Sequence, residues 1–218
     1  MKKFIWVLCL VLLVSGCAWF GEENVEKPAL DLIQDGVEAY DKGHYQEAIK
    51  NFEQLKDWYP FSKYAMLAEL RIADSHYHQQ QYPEAVQAYE EFEQLHPRNE
   101  AIPYIIYQIG QCYFEQIDTE DRDQTSAQKA LETFQRLVRQ HPGDPYAQKA
   151  MSHIQICYQS LAAHDFYVGM FYYRDQRYKA AKQRFLSVIT KYPDTGVHYK
   201  AMLYLADCEA ILAGKSDK

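Results

Sequence analysis

Gly43-His44-Tyr45-Gln46-Glu47-Ala48-Ile49-Lys50-Asn51-Phe52-Glu53-Gln54-Leu55, closed by Trp58-Tyr59-Pro60, decides the fold because the pattern returns along the chain. Gln81-Tyr82-Pro83-Glu84-Ala85-Val86-Gln87-Ala88-Tyr89-Glu90-Glu91-Phe92, closed by Leu95-His96-Pro97, repeats it 37 residues later. The same frame, small-x3-aromatic-x2-apolar-x4-Pro, recurs as Ala130, Phe134, Leu137 and Pro142, then as Ala181, Phe185, Val188 and Pro193. A fixed period of this length marks a repeat architecture. The spacing is that of a helix: a small residue allows close approach of a second helix, and an aromatic one turn later fills the gap. Proline ends the helix, because it lacks an N–H and clashes with the preceding turn.

Each of these helices needs a partner upstream, and Gly36, Ala73, Gly110 and Gly169 supply the matching small position. Gly36 to Ala48, Ala73 to Ala85 and Gly169 to Ala181 are each twelve residues apart. The expectation is an all-α solenoid of helical hairpins, about four and a half repeats, over residues 29–213. The pattern resembles the tetratricopeptide (TPR) repeat, lengthened by interrepeat turns such as Tyr59-Pro60-Phe61-Ser62-Lys63-Tyr64. Two departures are informative. Gly110 to Ala130 is twenty, so the third hairpin carries an extra polar stretch around Asp118–Thr125. It lacks the turn glycine and closing glutamate of a calcium loop and is expected as an exposed loop. Pro142 to Pro193 is 51, fourteen more than the period. Fourteen residues are about 3.9 helical turns, so a helix lengthened by that amount keeps its facing direction. One long first helix is therefore expected over Tyr146–Arg174. A fifth first helix over Gly196–Leu212 lacks a second helix, and 214–218 reads as a tail.

Lys2 and Lys3 precede an unbroken apolar run from Phe4 to Val14. That run is too short for a hydrocarbon core of about 30 Å but suits a secretory signal. Val14-Ser15-Gly16-Cys17 then resembles the lipobox of bacterial lipoproteins. The resemblance implies cleavage after residue 16 and lipidation of Cys17, with residues 17–28 a tether. Ala18 resembles the outer-membrane sorting pattern of enterobacterial lipoproteins. Loss of residues 1–16 would take the formal charge from −7 to −9, which argues against broad nucleic-acid binding. With 48% apolar residues, 9 Gly and 8 Pro the chain is neither disordered nor collagen-like. Three cysteines remain, Cys112, Cys157 and Cys208. They sit in apolar helical stretches as small buried hydrophobes, and at most one bridge between them is possible.

The turns carry a more specific resemblance. Tyr59-Pro60-Phe61, Pro103-Tyr104-Ile105-Ile106-Tyr107-Gln108-Ile109-Gly110, Arg122-Asp123, Leu137-Val138-Arg139 before Gln-His-Pro, and Lys191-Tyr192-Pro193-Asp194-Thr195 look like those of the BamD family. These are lipoproteins of the outer-membrane β-barrel assembly machinery. The similarity runs from about Ala29 to Leu212, and longer members continue into a further helix. The resemblance implies a non-enzymatic subunit on the periplasmic face of the outer membrane. It would be lipid-anchored, docked on a POTRA domain of the barrel-forming assembly protein, and would receive unfolded outer-membrane proteins by their aromatic-ended C-terminal signals. The rival expectation is a periplasmic TPR scaffold for cell-envelope or peptidoglycan complexes.

Two sets of residues are candidates for these contacts. Tyr40, Tyr77 and Phe114 lie four residues beyond the small crossing positions, and Tyr107 and Tyr104 lie three and six before Gly110. A groove lined by such rings would suit an extended peptide, and the same periodicity suits rings packed between helices. Arg174, Arg177 and Arg184 belong to a late basic cluster with Lys179 and Lys182, and the family resemblance implies partner docking in these repeats. Arg184 is the foremost candidate. No CxxC, HExxH, Gly-rich phosphate loop or G-x-S-x-G is present, and His76 and His78 point to different helix faces. No enzyme activity, metal or cofactor beyond the lipid on Cys17 is expected.

Overall fold

The computed structural model describes residues 26–192 and 194–216, among which nine helices and no strands are found. They are α1 (Ala29–Asp41), α2 (Tyr45–Trp58), α3 (Ala65–His78), α4 (Tyr82–Leu95), α5 (Ile102–Phe114), α6 (Thr125–Gln140), α7 (Pro145–Arg174), α8 (Tyr178–Lys191) and α9 (His198–Ser216). Each helix packs chiefly on the next in sequence, with α5 also meeting α7 and α7 meeting α9. The chain is thus a run of antiparallel hairpins, α1/α2 to α7/α8, with α9 packed on α8 and without a second helix of its own among the described residues. Contacts confined to neighbours are what make such a fold quasi-one-dimensional.

Hairpin closure depends on one recurring contact. A Cβ placed on Gly36 would lie 2.4 Å from the ring of Phe52; on Gly110, 2.5 Å from Phe134; on Gly169, 2.6 Å from Phe185. In three hairpins the aromatic of the second helix therefore occupies the space that a side chain at the first helix's glycine would need. The second hairpin pairs Ala73 with Tyr89, and both are fully buried. Around each contact the repeat frame forms the core: Ala48, Phe52 and Leu55 in the first hairpin, Ala130, Phe134 and Leu137 in the third, and Ala181, Phe185 and Val188 in the fourth.

Three of the four hairpin turns use one backbone solution. Gly43, Gln80 and Gln176 have φ of +77°, +59° and +60°. In each, the next residue's N–H reaches back five positions: His44 to Ala39 (2.8 Å), Gln81 to His76 (3.0 Å), Arg177 to Tyr172 (2.9 Å). This is the Schellman arrangement, in which a left-handed residue satisfies the last carbonyls of a helix. The interrepeat turns also share a form. Tyr59, His96, His141 and Tyr192, each before a proline, have φ between −127° and −133° and ψ between 53° and 65°. Proline excludes the helical region for the residue before it, so the helix stops there.

The fourteen extra residues are all in α7, an uninterrupted helix of 30 residues. Its first half, including Ala147, Ala150, Cys157 and Leu161, completes the core of the second and third hairpins. Its second half begins at Ala162 and packs with Phe185, Ala201 and Cys208. The core changes owner between Leu161 and Ala162. The loop between α5 and α6 closes over this step: Glu120 O pairs with His164 Nδ1 at 2.7 Å, and Ser160 Oγ donates to Gln124 Oε1 at 2.9 Å. Cys112, Cys157 and Cys208 are buried free thiols. Burial foremost pushes the first two up to about 12.

One boundary differs from expectation. The last helix starts at His198 and continues through Gly214 to Ser216, into the stretch read as a tail. A glycine costs a helix only about 1 kcal/mol relative to alanine and ends one only when it turns left-handed. The expected signal segment 1–16, the expected lipidation site Cys17 and the expected tether up to residue 25 lie outside the described residues.

Gly110→Ala must push Phe134 off its seat and should cost about 1–3 kcal/mol by overpacking, read as a lower urea midpoint. Gly43→Ala meets nothing within 4 Å, so its cost, about 1 kcal/mol, comes from the positive φ alone. Gln80→Gly should move the midpoint the opposite way.

Candidate functional site

The five aromatics expected to line a groove lie on first helices, half-buried, and all have partners within the chain. The structure gathers them in two clusters. In the first, Tyr40 meets the rings of Tyr45 (5.5 Å) and His78 (5.6 Å), with the Arg71 guanidinium 4.8 Å above it. Tyr77 meets His78 at 5.8 Å and Tyr82 at 5.9 Å. Burial foremost raises the Tyr77 phenol to about 12. In the second, Tyr107 lies against Phe134, Tyr146 and His153 at 5.8, 5.4 and 5.7 Å. Phe114 sits edge-on to His153 at 4.7 Å. Tyr104 touches Tyr146 at 5.3 Å. These rings bridge one first helix to the next, α1 to α3 and α5 to α7.

Tyr104 also leads to a centre that sequence reasoning missed. Asp74, on α3, is 2% exposed, and its Oδ1 accepts from both Tyr89 and Tyr104 hydroxyls at 2.7 Å. Its Oδ2 accepts from Arg71 at 3.2 Å, and Gln108 donates to the Tyr89 oxygen at 3.4 Å. A buried carboxylate is tolerable only when its lone pairs are used in this way. One carboxylate therefore joins α3, α4 and α5. Burial, and then the Asp74 charge, drive the Tyr104 and Tyr89 phenols well above their ordinary range. The signal in the sequence was a lone acid next to a crossing residue, in Ile72-Ala73-Asp74.

The second half of α7 carries the counterpart. Asp165 is 6% exposed and accepts from Arg184 Nη1 and Ser187 Oγ, both at 2.8 Å. Arg184 thus clamps α8 to α7. Arg177 pairs with Asp175 at 2.7 Å, and Lys182 with Glu209 at 2.7 Å. Arg174 is placed differently. It lines a groove of about 550 Å³ with Glu120, Phe166, Tyr167, Met170 and Phe171. Phe171 is 59% exposed. The three arginines do not form one basic stripe. Arg177 and Arg184 are held by this chain's own carboxylates, and Arg174 stands at an apolar groove.

Among the described residues no group of three or more His, Cys, Asp or Glu could hold a metal ion. His76 bonds Gln81 through Nδ1 at 2.7 Å, while His78 stacks on Tyr45 at 4.9 Å. No described helix is long and apolar enough to cross a membrane.

Comparison with known families gives a match over residues 25–216 to the outer membrane lipoprotein family YfiO. The chain belongs to that family. The match begins just before α1 and ends at the last residue of α9, so it takes in all the described helices. The chain is 29% identical over 198 residues to the outer membrane protein assembly factor BamD of Caulobacter vibrioides, covering 89% of this chain and 65% of that relative. It is 26% identical over 213 residues to BamD of Pasteurella multocida, covering 93% and 81%. A solved structure, a tetratricopeptide repeat protein from Parabacteroides merdae, aligns over 87% of this chain and 75% of its own at 14% identity, with a TM-score of 0.45.

Asp74→Ala would strand Arg71 and two buried hydroxyls, and should cost roughly 3 kcal/mol. The loss should appear in thermal unfolding. The raised phenols and thiols also set an alkaline limit. A group that holds its proton longer when folded leaves stability unchanged below its unfolded pKa, and stability then falls as pH rises toward the folded value. With Tyr77, Cys112 and Cys157 each at about 12, the urea midpoint should be level near neutral pH. It should drop progressively from about pH 9–10 upward.

Proposed function

We propose that this chain is an outer-membrane lipoprotein subunit of the β-barrel assembly machinery. It would be a TPR-like scaffold, anchored through acyl chains on Cys17 and facing the periplasm. The observation that carries the reading is the family match through all repeats, together with relatives named as outer membrane protein assembly factors. In this role residues 1–16 are a signal segment, 17–28 a tether and 29–213 the scaffold. No cofactor is needed beyond the lipid, and the work done is binding rather than catalysis.

Two finer assignments belong to the same proposal. The late repeats dock on a POTRA domain of the barrel-forming assembly protein, and the chain helps receive the aromatic-ended C-terminal signals of unfolded outer-membrane proteins. Arg174 is the docking residue best supported by its surroundings. It lines the same groove as exposed Phe171 and Tyr167, and interface centres are enriched in arginine and aromatic residues. Arg177 and Arg184 have a second duty within the chain, so substituting them tests packing along with docking. The same holds for Tyr40, Tyr77, Tyr104, Tyr107 and Phe114 as receivers of the peptide. Each is half-buried, so part of its surface is open to a peptide while the rest packs within the chain.

Arg174→Glu should leave the thermal midpoint within about 1 °C, since exposed substitutions change stability by less than about 0.5 kcal/mol. It should reduce recovery of the barrel-forming assembly protein from detergent-solubilised outer membranes at least several-fold. Full recovery with the variant would remove Arg174 from the interface. Recovery of cell-wall enzymes alone by the unaltered chain would replace the proposal with the cell-envelope scaffold.

A further inference from the structure

Phe61 is fully exposed, with relative accessibility of 100%. It lies in a built turn. Ser62 N–H donates to Tyr59 O at 2.9 Å, Ala65 N–H to Ser62 O at 3.0 Å, and Tyr64 N–H to Ser62 Oγ at 3.2 Å. The aromatics on either side, Trp58, Tyr59 and Tyr64, pack into the first core, and Lys63 Nζ lies 5.0 Å from the Tyr64 ring. Phe61 alone of this group faces solvent. The residue after proline in the other three interrepeat turns is Arg98, Gly143 or Asp194, so the repeat frame does not call for an aromatic there. Leu30, Met66 and Leu67, in the first turns of α1 and α3 at the same end of the solenoid, are 48%, 41% and 40% exposed.

This turn is stapled to the point where the chain arrives from Cys17. Tyr59 Oη donates to Lys27 O at 3.0 Å, immediately before α1. Lys27 is ten residue steps from Cys17, and ten steps reach at most about 35 Å in any conformation. Acyl chains on Cys17 would therefore hold Phe61 close to the bilayer at high effective concentration. Charge contributes little: Lys27 is paired with Asp35 at 3.0 Å, exposed Glu26 lies against Tyr59, and exposed Asp57 precedes Lys63 in the same stretch. The fit is to the headgroup–acyl boundary of a bilayer, which takes up single exposed apolar side chains.

We propose that the Tyr59–Tyr64 turn is a second membrane contact, with Phe61 inserting beside the lipid anchor and fixing how the first hairpin faces the bilayer. The proposal rests on lipidation of Cys17. The test uses the full acylated chain with a photoreactive phenylalanine analogue at position 61 or, for comparison, at the exposed position 171. It is mixed with vesicles of phosphatidylethanolamine and phosphatidylglycerol. Flotation with the vesicles reports the anchor, and the mass of the irradiated product reports the turn. The expected result is a lipid adduct at 61 and none at 171. Phe61→Ser should float as well as the unaltered chain and unfold at the same temperature. With the photoprobe moved to Leu30 in that background, its lipid adduct should fall several-fold. Failure to float overturns the anchor and the contact together. Flotation without an adduct at 61, equal adducts at 61 and 171, or capture of a protein at 61 instead of lipid overturns the membrane contact and leaves the anchor standing.

Discussion

An aromatic ring lying on glycine backbone is the contact on which the rest of this molecule depends. Phe52 on Gly36, Phe134 on Gly110 and Phe185 on Gly169 bring the two helices of a hairpin closer than any side chain would allow. That approach lets the flanking alanine, aromatic and aliphatic positions meet in a sealed core. Were the helices held further apart, each hairpin would leave its apolar face half covered, and the next hairpin would have no flat surface to stack on. Because this contact, or its Ala73–Tyr89 counterpart in the second hairpin, lies within a hairpin, the chain can be extended, interrupted by a loop or stepped without losing its register.

The step in α7 shows what that tolerance permits. The helix serves as last wall for one core and first wall for the next, changing over between Leu161 and Ala162. The α5–α6 loop, polar in sequence and without helical periodicity, is tied to α7 by His164 and Ser160. It fills the notch that the step would otherwise open. Polar links of a different kind join units to one another. Asp74 gathers hydroxyls from α4 and α5, Asp165 holds α8 through Arg184 and Ser187, and Arg136 grips Glu93 with two hydrogen bonds of 2.5 and 3.1 Å between α6 and α4. Apolar contact closes the hairpins, and directional contact sets how they follow one another.

These links change the meaning of the residues that stood out for function. The tyrosine ladder could be located by counting, but a count of four from each crossing residue places a ring on the inner layer without telling which of its faces is used. In the folded chain Tyr40 meets His78, Tyr104 and Tyr107 meet Tyr146, and Tyr107 and Phe114 meet His153, so these rings already have partners within the chain. The late arginines were equally visible as a cluster. Their carboxylate partners, Asp165 and Asp175, are distant in one case and adjacent in the other, and only the three-dimensional arrangement shows that Arg174 stands apart at an apolar groove.

The sequence by itself determined the hairpin period, the crossing residues, the helix-ending prolines, the length of α7 and the exposed loop, because each is written in local spacing and in the steric limits of Gly and Pro. It also carried the turns by which the family could be recognised. Tertiary structure alone decided that Asp74 is the buried junction of three helices, that Arg184 is a clamp, that Gly214 leaves α9 unbroken, and that Phe61 is the ring turned outward from the turn that Tyr59 ties to Lys27. Each of these depends on partners supplied from elsewhere in the chain, and the burial that gives a charge or a ring its role exists only once those partners have met.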